Sequence, residues 1–156
     1  MVMPKGAETR TEMSSEPPAS RGEAGERGAD GFDEWAAMRA VGQQTRAGLL
    51  ADIVGHPTGM PSVPELNYTN PRVGRATIVE HLEKLMDAGV VGKAELPPGE
   101  RHRDLPYTFY YLTEAGRDFL DRNDVLDERV WSDQYERVEK TPEIREIEAM
   151  DRPDRD

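Results

Sequence analysis

The chain has 156 residues, no cysteine, 36% apolar residues and a formal net charge of -11. The lack of cysteine excludes a disulfide scaffold, a thiolate metal site and a cysteine nucleophile, and it fits a reducing, cytoplasmic setting. No apolar run approaches the roughly 18 residues needed to span a bilayer, and the N-terminus lacks the apolar centre of an export signal, so no membrane partner is expected.

In chain order, residues 1–31 are built from Gly, Ala, Glu, Ser, Pro and Arg without apolar periodicity, and they read as a disordered acidic tail. From Phe32 the pattern changes: Phe32, Trp35, Met38 and Val41 recur every three residues, and Leu49, Leu50, Ile53 and Val54 form a second helical stripe. Two helices, or one bent helix, are expected over 33–55, ending near Gly55-His56-Pro57. SVPEL begins the next helix: Ser62 and Glu65 have the spacing of a capping box, with Pro64 in the first turn. Asn70-Pro71 then resists helix and marks a turn. Ile78, Leu82, Leu85 and Met86 lie on one stripe of a helix over 74–88, which Gly89 can end in the left-handed conformation. Ala76, Thr77, Glu80, Glu83, Lys84 and Asp87 face outward, with His81 at the boundary. Val90–Ala94 and residues 107–112 are rich in strand formers, and the loop between them carries Arg101, His102 and Arg103. Thr113 caps a helix containing Phe119 and Leu120. Further amphipathic helices follow over 123–156.

Net charge is informative once divided along the chain. Residues 1–34 hold four bases and eight acids, residues 123–156 six bases and twelve acids, and the middle ten bases and eleven acids. The acidity belongs mostly to the two ends. Between them lies a nearly neutral centre whose bases include Arg72, Arg75, Lys84, Arg101 and Arg103.

Helix, turn, helix, hairpin, helix is the order of a winged helix domain. The run from VGQQTRAGLL through SVPEL, ATIVEHLEKLMDAGVV and YYLTEAGRDFL, residues 41–120, resembles the winged helix-turn-helix transcriptional regulators of the ArsR-like and related prokaryotic groups. Acidic chains of this kind are typical of halophilic archaea. The resemblance implies a mainly α fold with a small β-hairpin (α+β), a winged helix-turn-helix with additional terminal helices; no clustered nucleophile and base, phosphate loop or metal spacing points to an enzyme. It implies an acidic tail over 1–31, a DNA-binding domain over 32–122 and a C-terminal helical extension over 123–156.

Matched position by position, it makes Arg72, Arg75, Thr77, Glu80, His81 and Lys84 major-groove contacts on helix 74–88. Arg101, His102 and Arg103, in a wing over 95–106, become contacts to phosphate or the minor groove. The residue types suit that role, because a helix N-terminus favours anions and arginine bonds guanine through two atoms. The plainer alternative is a solvated mixed-charge face, with Glu80 and Lys84 an i,i+4 pair and His81 a packing residue. Trp35, Leu126, Val130, Trp131, Tyr135 and Val138 are candidate dimerisation residues, since regulators of this kind dimerise through terminal helices and a twofold dimer suits a palindromic site. Double-stranded DNA and a second copy of the chain are the expected partners. Three scattered histidines argue against a metal site, and no cofactor is expected. The competing reading is a winged helix used as a protein-protein interaction module in a transcription or replication assembly.

Overall fold

The computed structural model describes residues 31–155. The tail expected over 1–31 lies, apart from Gly31, outside the described residues. The chain divides into two compact units, one ending at Arg39 and the other starting at Ala40. In the first, Asp33 Oδ1 accepts from the backbone N–H groups of Trp35 and Ala36 and so starts α1 (Glu34–Val41).

Next comes α2 (Gln44–Gly55), so the expectation for 33–55 resolves into two helices broken at Gly42-Gln43. Gln43 caps α2 by accepting from Arg46 N at 2.8 Å. Next come α3 (Val63–Thr69) and α4 (Arg75–Asp87), joined by the expected Asn70-Pro71 turn. Gly89, at φ 78°, ends α4, with Val90 N returning to Leu85 O. The strands β1 (Val91–Glu95) and β2 (Thr108–Leu112) pair antiparallel, from Val91 opposite Leu112 to Glu95 opposite Thr108. Tyr110 N donates to Pro61 O, which lays the segment before α3 along the open edge of β2. Then follow α5 (Glu114–Arg122), α6 (Glu128–Arg137) and α7 (Pro142–Glu148).

The core collects the predicted stripes. Leu49 and Ile53 of α2, Leu66 of α3, and Ile78, Leu82 and Leu85 of α4 are fully buried, with Phe109 of β2 and Phe119 of α5. Each such side chain contributes about 1.5–3 kcal/mol on burial. Met86, expected on the same stripe, sits at its edge and is half-buried.

Thr113 joins hairpin to α5: its hydroxyl donates to Gly89 O at 2.6 Å and accepts from Gly116 N at 2.9 Å. Any Cβ on Gly116 would run into the Val90 carbonyl, which explains the Thr-x-x-Gly spacing.

The helices after residue 123 fold back on the unit. α6 packs on α2 so closely that a Cβ on Gly55 would strike the backbone carbonyl of Trp131, and α7 packs on α3. Alternation along 107–112 suggests one covered face, yet Phe109, Tyr110, Tyr111 and Leu112 are all buried. The second face is covered by the chain beyond α7. Met150 packs against the cluster of Met60, Ala94, Leu96, Phe109 and Tyr111, Arg152 lies over the Phe109 ring, and Arg155 lies over Tyr111.

Arg152 is the anchor of that segment. Its guanidinium donates to Met60 O, Ile147 O, Met150 O and the Glu65 carboxylate, the last at 3.0 Å. Glu65 is 0% exposed. Its Oε1 also accepts from the Ser62 N–H and hydroxyl, completing the expected capping box, and its Oε2 accepts from His56 Nε2 at 2.5 Å. His56 Nδ1 accepts from Thr58 N, which leaves the ring proton on Nε2 for Glu65. Burial alone would raise the Glu65 pKa; the His56 hydrogen bond, the Arg152 charge and the Ser62 N–H outweigh it and hold the carboxyl below its ordinary value.

Gly116→Ala is expected to cost about 1–3 kcal/mol, read from the urea midpoint, because the added methyl must displace backbone. Arg152→Met leaves the buried carboxylate without its cation and is expected to cost about 3–5 kcal/mol at pH 7. The Glu65 pKa is depressed on folding, so its contribution is present above the unfolded value near 4.5 and is lost as pH falls through the folded value. Urea titrations at pH 7 and pH 4 are therefore expected to show a larger acid loss in the wild type than in Arg152→Met.

Candidate nucleic-acid interface

The turn between α3 and α4 is stitched by side chains. Asp52 of α2 accepts from Thr69 Oγ1 at 2.9 Å and from Asn70 Nδ2 at 2.8 Å, tying the end of α3 to α2. Burial raises the Asp52 pKa, partly offset by these two hydrogen bonds. Asn67 bridges the turn: its amide donates to Val73 O at 2.8 Å, and its carbonyl accepts from Arg75 Nε at 3.2 Å. The first side chain of α4 is thereby held across the turn, while its guanidinium remains at the exposed N-terminal end of the helix.

Beyond Arg75, the outward face of α4 is as the spacing predicts. Ala76, Thr77, Glu80, Glu83, Lys84 and Asp87 are exposed, and Arg72 is exposed in the preceding turn. His81 sits on the flank toward α2, where its Nδ1 lies 3.1 Å from Arg46 Nη1. A guanidinium only donates, so Nδ1 accepts and the ring proton is on Nε2. Arg46, also bonded through Nε to Ala40 O, is a contact that spacing on α4 could not reveal.

The wing differs from a plain basic tip. Arg101 Nε donates to Leu96 O, and its guanidinium lies 3.9 Å from the Tyr107 ring centre and 3.6 Å from Glu95. It folds the loop onto itself, whereas His102 and Arg103 stay exposed. A groove of about 1090 Å³ lies between the helix pair and the wing: Arg75 and Pro64 line it from the helix pair, His102, Arg103 and Asp104 from the wing, and Glu143 and Glu146 from α7.

The candidate dimerisation residues separate by exposure. Trp35 and Val130 are 57% and 44% exposed, and Leu126, Trp131 and Val138 are half-buried. Tyr135 is buried within the chain, its ring 5.3 Å from that of His56 and beneath the Lys140 ammonium. Burial, then the neighbouring carboxylates, push the Tyr135 hydroxyl pKa up.

A scan against protein-family models finds no match for this chain, and neither does a search of curated proteins. Among solved structures it is similar to a protein with a GntR superfamily winged-helix-turn-helix domain from Halomicrobium mukohataei. The two share 34% identity with a TM-score of 0.71, over 85% of this chain and 94% of that one. The chain belongs to this winged helix-turn-helix family. Its mostly helical fold with a two-stranded antiparallel hairpin is a winged helix, an architecture typical of DNA-binding transcription regulators and generally non-enzymatic. In winged-helix terms α3 and α4 are the helix-turn-helix, and the β1–β2 loop is the wing. Among the described residues, no helix of this winged-helix protein is long and apolar enough to cross a membrane.

Asn67→Ala in the winged-helix protein is expected to lower stability by about 1 kcal/mol and to speed solvent exchange of the Arg75 Nε–H, followed by NMR. Asn67→Asp keeps the acceptor and is expected to leave that exchange slow.

Proposed function

We propose that the protein is a sequence-specific regulator of transcription that binds double-stranded DNA as a homodimer, with α4 in the major groove and the wing over 95–106 on the backbone or minor groove. One observation carries this reading: the N-terminal end of α4 and the wing tip turn Arg75, His102 and Arg103 into the same groove. Contacts of this kind orient a duplex through its phosphates, while the exposed face beyond them can reach base edges. Arg72, Thr77, Glu80 and Lys84 are the exposed candidates for that reading. Arg101 supports the wing from within, and His81 supports α4 from its flank. Trp35 and Val130, exposed and apolar, are the candidates for the contact between copies. The ArsR-like kinship rests on two motifs, and the GntR-superfamily kinship on identity across most of the chain, which makes the latter the firmer guide to grouping.

Selection from a randomised duplex pool is expected to return one enriched, twofold-symmetric motif. Arg75→Ala and Arg103→Ala are each expected to weaken binding to it and to reduce the salt slope, measured by fluorescence anisotropy, by about one phosphate contact. No enriched motif, together with no duplex binding at about 0.1 M salt, would favour the protein-interaction reading instead.

A further inference from the structure

Three acids line the groove. Asp104 comes from the wing, and Glu143 and Glu146 from α7. Glu143 and Glu146 are exposed, while Ile144 and Ile147, which line the same groove, are buried. Spaced i, i+1, i+3 and i+4, these four residues lie on one side of α7, which runs along the groove with its two carboxylates exposed. Arg145, the base on α7, donates to Lys140 O and is not part of the groove lining.

α7 is also fixed in place. Thr141 caps its start by accepting from Ile144 N, and beyond its end Arg152 holds both the Ile147 carbonyl and the Glu65 carboxylate. Swinging α7 away would break a buried ion pair, which is far costlier than bending a loop. Glu143 and Glu146 line the same groove as Arg75 and Arg103, and the screening length is about 8 Å at physiological salt, so their charge acts on a phosphate held there.

We propose that α7 is a fixed counter-charge in the DNA-facing groove, with Glu143 and Glu146 lowering affinity for phosphate so that sequence-independent binding is suppressed more than binding to the proper site. The inference rests on the DNA-binding reading above. Its physical basis is that non-specific binding is almost wholly electrostatic, whereas specific binding adds base contacts that the glutamates do not oppose. The acids therefore act on the ratio of the two affinities.

The test compares the full-length wild type, Glu143→Gln/Glu146→Gln and a control, Asp133→Asn/Glu136→Gln, which removes two exposed charges from α6. Each is titrated with the selected duplex and with an unrelated duplex from about 0.1 M to 1 M salt, thermal denaturation verifying the fold. The groove variant is expected to bind the unrelated duplex about three- to tenfold more tightly at low salt, to gain less on the selected duplex, and to converge with the wild type near 1 M. The control is expected to stay within about twofold of the wild type. A groove variant that matches the control overturns the inference while leaving the DNA-binding reading intact. Failure of every protein to bind either duplex overturns both.

Discussion

The second unit depends on one buried carboxylate. Glu65 stands in the first turn of α3, where its charge suits the helix dipole, and it reaches partners from three different parts of the chain. Ser62 comes from its own cap, His56 from the end of α2, and Arg152 from beyond α7. Through these contacts the carboxylate fixes α3 against α2 and fastens the C-terminal segment over the hairpin. The next helix inherits that order, since α4 is set against α3 by Asn67 and by the Asp52 tie at the turn. An ion pair this deep is not evidence of high stability, because desolvation offsets most of its attraction. Its role is to define a single arrangement of helices that apolar packing alone would specify less sharply.

Local patterns made much of the winged helix legible. The α4 stripe, the Gly89 stop, the Ser62–Glu65 spacing and the Thr113 cap each depend on residues within one or two turns of one another, and each is found where the spacing places it. What local patterns could not reveal is partnership across distance. Glu65 reads as a capping residue and His56 as a loop residue, because nothing near them in the chain announces an arginine 87 positions later. The same blindness hides Arg46 behind His81 and the Tyr107 ring beneath Arg101. Candidates for DNA contact were therefore readable as residue types on exposed faces, while the internal ties of His81 and Arg101 were not. Tyr135 shows the converse. On a stripe of its own helix it suits an interface between copies, and only the fold shows His56 and Lys140 around it.

Charge needs the same local treatment. A net charge of -11 says little about a DNA partner, because most of the excess lies toward the two ends of the chain. In three dimensions that separation does not hold, since α7 returns two glutamates to the groove shared by Arg75 and Arg103. Charges of both signs thus line one groove, and the strength of their fields there depends on ionic strength.

The 87-residue interval between Glu65 and Arg152 also bears on how the molecule is made. At about 5–20 residues per second on a ribosome, the carboxylate emerges roughly 4–17 seconds before the cation that pairs with it. During that interval α3 and α4 can form by their own caps and stripes, but burying Glu65 would isolate a charge. Closure of this corner around Glu65 therefore waits for Arg152 to emerge.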